Sequence, residues 1–130
     1  MSVRVESSDE LVGAFRDLLD RHAQVTCALE RRLQDEHRLG MSEFEVLECL
    51  ASADRGQQRM QELAGAVHLS QSALSRVVGR LEADGLVDRC MCPTDRRGIQ
   101  AGITAAGRER FEAALPTHRA VIATVLGERA

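Results

Sequence analysis

The sequence predicts a mainly α-helical chain that has long helices near both ends and one small β-hairpin. Two observations lead to this prediction. Apolar residues recur at helical spacing through most of the chain, so most of it is expected to form amphipathic helices. Strand-like alternation of apolar and polar residues is confined to residues 86–91 and 98–103, which flank a turn-like stretch containing Pro93.

Length and composition indicate a single globular domain over residues 1–130. Hydrophobic residues make up 44% of the 130 residues and charged residues 28%, as in ordinary globular chains. No apolar run approaches the roughly 20 residues that span a bilayer, and the polar N-terminus does not resemble a secretory signal. We therefore expect a cytoplasmic protein with no membrane association, whose four cysteines are reduced thiols.

The first predicted element is a long helix over about residues 8–38. Ser7 and Glu10 have the spacing of a capping box. One apolar stripe then follows the helical period, and it consists of Leu11, Phe15, Leu18, His22, Val25, Thr26, Leu29 and Leu33. Long helices with such a stripe often form oligomer interfaces. His22 and Thr26 are candidates for lining a ligand pocket, although interface or surface positions are the simpler interpretation.

A second helix is expected over about residues 42–53. Gly40 is expected to end the first helix, and Ser42 with Glu45 repeats the capping-box spacing. The side chains that this helix buries are expected to be Phe44, Val46, Leu47 and Leu50. A loop over 53–56 and a short extended segment over 57–59 then lead to the next helix.

Residues 60–84 predict two short helices joined by a tight turn at His68 and Leu69. Ser70 suits the N-cap of the second helix, because its hydroxyl can accept a bond from a free backbone N–H. The apolar side of the second helix consists of Leu74, Val77, Val78 and Leu81. Its opposite side carries small, hydroxyl-bearing and arginine residues, namely Gln71, Ser72, Ser75, Arg76, Gly79, Arg80 and Ala83. Such residues let a helix approach DNA and bond base edges and phosphates, so the pair is interpreted as a helix-turn-helix; an ordinary helical hairpin is the alternative.

The segment after this helix pair predicts a wing and a final helix. Gly85 suits the position that follows a helix, and the strands at 86–91 and 98–103 form the hairpin. Together they predict a winged helix-turn-helix over about residues 42–103. Thr104 is expected to cap a last helix within 104–130, which Pro116 is expected to kink or interrupt.

Charge is distributed unevenly along the chain. The net charge is −3, which excludes a uniformly basic nucleic-acid coat. Residues 1–58 hold seven arginines and 12 acidic residues, whereas residues 59–110 hold eight arginines and six acidic residues. The basic excess therefore coincides with the predicted winged helix-turn-helix. Aromatic residues are 2% of the chain, which disfavours recognition of single strands by stacking.

The chain resembles the MarR family of bacterial transcription regulators, from about Leu11 to the C-terminus. The matching segments are residues 60–64, 69–76, 80–86, 93–98 and 115–116, in the order and spacing of the family. The most specific feature is the wing sequence, in which Asp95 and Arg97 flank Arg96. Combined with the helix-turn-helix and the Thr104 to Gly107 pattern after the wing, it makes the resemblance strong.

The resemblance implies a homodimer bound to a pseudo-palindromic site in double-stranded DNA, with the second helices in successive major grooves and the wings in flanking minor grooves. By position, Arg80 is expected near the DNA backbone and Arg97 in the minor groove, with Asp95 orienting Arg97 and Arg96 contacting phosphate. The second helix of the pair, here called the reading helix, is expected to face bases or nearby phosphates with Gln71, Ser72, Ser75 and Arg76. Ser70, at the start of this helix, is a further candidate for DNA binding.

Two features depart from the family pattern. His68 occupies a turn position that is commonly glycine because φ is positive there, and histidine is among the residues that tolerate this conformation. The family usually continues into a further helix, whereas 26 residues follow Thr104 here. Dimerisation is therefore expected to depend on residues 8–38 and 104–130.

Other chemistry receives less support from the sequence. Cys90 and Cys92 lack the second ligand pair that zinc sites need, so no metal site is predicted. Cys27 and Cys49 are candidates for a redox switch, but the related hydroperoxide sensors pair a first-helix cysteine with tyrosines, and this chain has no tyrosine. No serine elbow, zinc-protease motif or phosphate-binding loop occurs, so we predict neither a catalytic site nor a cofactor.

The sequence thus predicts a DNA-binding transcriptional regulator, with repression favoured over activation. The family resemblance further implies gating by a small anionic or phenolic compound or by an oxidant. The alternative is a winged-helix protein-interaction module that has lost DNA binding, which the negative net charge favours.

Overall fold

The computed structural model describes the backbone of residues 3–91 and 98–127, and side chains from residue 8 onward within those ranges. The elements in chain order are α1 (Val3–His37), α2 (Met41–Ser52), β1 (Gln57–Arg59), α3 (Met60–Ala66), α4 (Gln71–Ala83), β2 (Val87–Met91), β3 (Ile99–Ile103) and α5 (Ala105–Gly127). A 3₁₀ turn (Asp54–Gly56) precedes β1. The predicted mainly helical winged helix-turn-helix is confirmed.

The strands form one antiparallel sheet in the order β1-β3-β2. Ala101, in the middle of β3, lies opposite Gln58 on one side and Arg89 on the other. The short extended segment expected at 57–59 is thus a third strand, and the predicted hairpin is part of a larger sheet. Because β1 leads directly into α3, the sheet connects the wing to the first helix of the helix-turn-helix.

The core is centred on Phe44 of α2, which is fully buried. Its ring lies 5.3 Å from the ring of Phe111 and is stacked on the imidazole of His118 at 4.3 Å, centroid to centroid. Both partners belong to α5, so α2 is packed directly against the last helix. The other residues predicted to be buried in α2 are confirmed, namely Val46, Leu47 and Leu50.

The residues predicted to start, end or cap a helix differ from the structure at three helix ends. α1 begins at Val3, so Ser7 and Glu10 lie inside the helix rather than at its start. α1 ends at His37 because Arg38 has a left-handed backbone with φ 56°. Gly40 is instead the N-cap of α2, where the N–H of Gly40 donates to Oε1 of Glu43 at 2.6 Å. The capping partner is therefore Glu43 rather than the predicted pair of Ser42 and Glu45.

The prediction that Pro116 interrupts the last helix is also wrong, because α5 continues through this residue. Pro116 and Glu112, four residues earlier, are both exposed. Water can therefore solvate the carbonyl that loses its intrahelical partner. The buried side of α5, with Ala114, His118 and Val121, holds the helix on the core across the proline.

Thr104 fixes the start of α5 to the end of the helix-turn-helix. Its hydroxyl donates to the carbonyl of Gly85 at 2.8 Å and accepts the N–H of Gly107 at 3.0 Å. Gly85 has φ 75°, as predicted for the residue after a helix. A Cβ on Gly107 would lie 2.1 Å from the carbonyl oxygen of Leu86, so only glycine allows this close approach.

The two halves of α1 have different environments. Leu29 and Leu33 in the C-terminal half are buried against the core. The apolar side chains of the N-terminal half are 49–66% exposed, and they are Leu11, Val12, Phe15, Leu18 and Leu19. The predicted apolar stripe is therefore only partly covered within one chain. Among residues 3–91 and 98–127, no helix combines the length and apolarity required to cross a membrane.

His118 is a buried imidazole in this core. Burial lowers its pKa, and the neighbouring Arg119 guanidinium lowers it further. Nη1 of Arg119 lies 2.6 Å from Nδ1 of His118. Because a guanidinium only donates hydrogen bonds, this nitrogen is the acceptor, which requires that Nδ1 carries no proton.

We predict that acidification destabilises the fold through His118. Its pKa is lower in the folded chain than in the unfolded chain, so its stabilising effect is present above the unfolded value of about 6.5 and is lost as the pH falls through the folded value. Denaturant unfolding at a series of pH values between about 7.5 and 5 is expected to show a steeper loss for wild type than for His118→Gln. Parallel profiles for wild type and His118→Gln contradict this account.

Candidate DNA-binding surface

The helix residues that were predicted to contact DNA lie together on the outer side of α4. The inner side of the helix is buried through Leu74, Val77, Val78 and Leu81. This burial fixes the rotation of α4 about its axis and directs the opposite side to solvent. The exposed residues on that side are Gln71, Ser72, Ser75, Arg76 and Arg80.

A tight turn sets the start of α4. His68 has φ 58°, the left-handed conformation that the helix-turn-helix pattern requires. The N–H of Leu69 donates to the carbonyl of Ala64 at 3.0 Å, which closes the turn. Oγ of Ser70 accepts the N–H of Ala73 at 3.1 Å. The Ser70 hydroxyl thus has a structural role as the predicted N-cap, whatever further contact it makes.

The wing strands lie beside α4. Met91 and Ile99 face each other at the loop end of the hairpin, and they are 60% and 41% exposed. The segment that joins them carries the predicted wing residues Asp95, Arg96 and Arg97, which lie outside the described residues. Their assignment stays a prediction.

Arg89 of β2 connects the wing to α4, and this contact was not predicted. Nη2 of Arg89 donates to the carbonyl of Ser75 at 3.0 Å, and Nε lies 3.1 Å from Oε1 of Glu82. The strand alternation places Arg89 on the same side as the buried Val87. An arginine at a strand position that alternation directs toward the core is the sequence signal that could have predicted this contact.

The two arginines on the outer side of α4 have different surroundings. Arg76 has no carboxylate within 4 Å among residues 8–91 and 98–127. Nε of Arg80 lies 3.8 Å from Oε2 of Glu43, which is buried at the start of α2. Arg76 is therefore available to an anionic partner, while Arg80 is held near the body of the domain.

The described cysteines are free thiols, and Cys92 lies outside the described residues. Cys27 and Cys90 are exposed free thiols, and Cys49 is a half-buried free thiol. Burial raises the pKa of Cys49, and the carboxylates of Glu48 and Glu45 raise it further, so little reactive thiolate forms. In the described part of the chain, no cluster of three or more His, Cys, Asp or Glu side chains is placed to hold a metal ion.

The two candidate ligand residues differ in position. Oγ1 of Thr26 donates to the carbonyl of His22 at 2.9 Å and is thus satisfied within its own helix. His22 lines a cavity of about 400 Å³ between α1 and the end of α5, together with Leu18, Arg21, Val25 and Leu126. A larger cavity of about 570 Å³, not predicted, lies between α2 and α3 and is lined in part by Glu45, Glu48, Cys49 and His68.

Comparison with known proteins assigns this architecture. A family model described as MarR family matches residues 39–99. The fold is similar to that of AbsC, a MarR family transcriptional regulator from Streptomyces coelicolor, with 33% sequence identity and a TM-score of 0.83. The alignment covers 90% of this chain and 78% of AbsC. The chain belongs to the MarR family.

Two other relatives agree with this assignment. The MarR family regulator Sco3205 from Streptomyces coelicolor, solved in complex with DNA, is 31% identical with a TM-score of 0.86, over 95% of this chain and 76% of Sco3205. YkoM of Bacillus subtilis, described as an uncharacterized HTH-type transcriptional regulator, is 33% identical over 88 residues. These residues are 68% of this chain and 56% of YkoM, so the chain spans just over half of that curated relative. Membership of the MarR family supports the prediction of a transcription regulator rather than an enzyme.

We predict that Ser70→Ala destabilises this MarR family chain by about 1 kcal/mol, because the N-cap bond to Ala73 is lost. Ser75→Ala is the matched control, since it removes an equally exposed hydroxyl from the same helix without removing a cap. Thermal or denaturant unfolding of both variants measures the effect. Equal stability of the two variants contradicts the capping role.

Proposed function

We propose that this MarR family chain is a sequence-specific transcriptional regulator that binds double-stranded DNA. The observation that carries the proposal is the outer side of α4, which is exposed, composed of small, hydroxyl and arginine residues, and held rigidly by the buried opposite side. Similarity to Sco3205, which was solved in complex with DNA, supports the same use of this surface. Its position beside the wing strands suits simultaneous contact with a major and a minor groove.

Each residue type on α4 has a matching contact in DNA. Gln71, Ser72 and Ser75 are proposed to bond base edges or nearby phosphates. Arg76, which has no carboxylate partner among the described residues, suits a bidentate contact with guanine. Arg80 is proposed to lie near the DNA backbone. The wing residues Asp95, Arg96 and Arg97 are proposed for the minor groove and its phosphates.

A second copy of the chain is the proposed partner for the N-terminal half of α1. Its five large apolar side chains between Leu11 and Leu19 are 49–66% exposed. A contiguous apolar surface of this kind marks an interface. A two-fold dimer also presents two copies of α4, which matches a pseudo-palindromic site. A chain that binds bacterial DNA in this way acts in the cytoplasm.

Repression and gating complete the proposal. A dimer that covers a promoter excludes polymerase, so repression is the proposed direction of regulation. The cavity beside His22 offers Arg21 and an imidazole among apolar side chains, which suits a small anionic or phenolic effector. The raised pKa of Cys49 gives the oxidant alternative less support.

We predict that Arg76→Ala weakens binding to the preferred site by about 1–3 kcal/mol, since a bidentate contact with a base is lost. The site is first obtained by selecting bound duplexes from random DNA, and mobility-shift titration then compares the variants. Arg31→Ala, on α1 among residues that pack toward α5, removes the same charge away from α4 and is expected to bind like wild type.

Equal affinities of wild type and Arg76→Ala for the selected site contradict the proposed role of α4. A salt titration distinguishes DNA binding from the alternative function, because phosphate contacts give a steep negative slope when the logarithm of affinity is plotted against the logarithm of salt concentration. Failure of the wild-type chain to bind any duplex favours a protein-interaction module instead.

A further inference from the structure

Glu43 is unusual among the described side chains because it is a carboxylate buried within the fold, with 7% of the residue exposed. It lies in the first turn of α2, and its Oε1 accepts the N–H of Gly40 at 2.6 Å. This hydrogen bond satisfies one of the two carboxylate oxygens. A buried negative charge also needs compensation by a positive group.

The second oxygen faces the reading helix. Oε2 of Glu43 lies 3.8 Å from Nε of Arg80, whose side chain is 60% exposed. Among the described residues, Glu43 is the carboxylate that forms an ion pair with Arg80. This distance is too long for a hydrogen bond, so the carboxylate attracts the Nε edge of the guanidinium by charge, while much of the arginine side chain stays accessible to solvent.

Arg80 continues the outer row of α4. Residues 72, 76 and 80 are each four positions apart, so Ser72, Arg76 and Arg80 lie one above another on the helix. With the N-terminal end of α4 in the major groove, the residue one turn beyond Arg76 reaches the flanking phosphates rather than the bases. A guanidinium that a neighbouring carboxylate biases toward one orientation loses less rotamer freedom when it meets a phosphate.

We propose that Glu43 is a positioning residue for DNA binding, which orients Arg80 toward the phosphate backbone. This inference rests on the proposed function, because it requires that α4 binds DNA. It assigns a role to a residue outside the helix-turn-helix pair and places part of the DNA contact under the control of the α2 N-terminus.

The test is a double-mutant cycle of Glu43→Gln and Arg80→Gln, measured as affinity for the selected duplex. Glutamine keeps the size of Glu43 and an oxygen that accepts the Gly40 N–H, but it removes the charge that faces Arg80. Glu45→Gln is the matched control, since it removes a carboxylate from the same helix with no arginine partner among the described residues. Thermal unfolding of each variant monitors folding.

Glu43→Gln is expected to weaken binding about two- to fivefold relative to Glu45→Gln, the range of a partly exposed ion pair. In the Arg80→Gln background, the same change is expected to have no effect. A purely structural role predicts equal losses in both backgrounds, and this result overturns the proposal, as does a Glu43→Gln variant that binds like Glu45→Gln. Loss of a phosphate contact is further expected to make the salt slope shallower for Arg80→Gln.

A second variant keeps the proposal testable if Glu43→Gln does not fold. Arg80→Lys retains the positive charge but loses the Nε that faces Glu43, so positioning predicts most of the loss seen for Arg80→Gln. Wild-type affinity of Arg80→Lys overturns positioning while leaving DNA binding intact. Absence of DNA binding by the wild-type chain overturns the proposed function itself, so the two failures are distinguishable.

Discussion

The structure depends above all on the burial of one side of α4. Leu74, Val78 and Leu81 are fully removed from solvent, and Val77 nearly so; burying such side chains contributes about 1.5–3 kcal/mol each before the entropy cost of folding. This burial fixes the axial rotation of the helix, and rotation alone decides which residues reach the solvent side. A shift of one position would bring apolar side chains to the surface and bury Arg76, at a large cost in desolvation.

Contacts from three other elements hold α4 in this orientation. Arg89 reaches the carbonyl of Ser75 from β2, Glu43 faces Arg80 from α2, and Thr104 bonds the carbonyl of Gly85 just beyond the helix. The wing, the helix before the reading pair and the last helix are therefore each connected to α4 separately. A displacement of any of them would change the position of the outer side of α4. This gives a physical route by which the proposed effector near α1 and α5 would alter the proposed DNA binding.

Periodicity and capping chemistry predicted most of this architecture. The 3.6-residue period identified the buried side of α4, and the residue types at His68, Ser70, Gly85 and Thr104 marked turns and caps that the structure reproduces. The errors arose where tertiary packing decides. α5 continues through Pro116, because water can solvate the carbonyl that loses its partner and the core holds the helix on both sides. At the start of α2, the N–H of Gly40 is bound by the Glu43 carboxylate, and Ser42 is not the cap. Arg89 was missed because its partners are a distant carbonyl and Glu82, which local sequence does not bring together.

We propose that two copies of α4 contact successive major grooves. Methylation protection of guanine N7 on the selected duplex measures this directly, because N7 lies in the major groove. Two protected clusters are expected, with centres about one helical turn, or 10–10.5 base pairs, apart. A single protected cluster, or no protection of guanine N7 at all, would contradict the proposed binding mode.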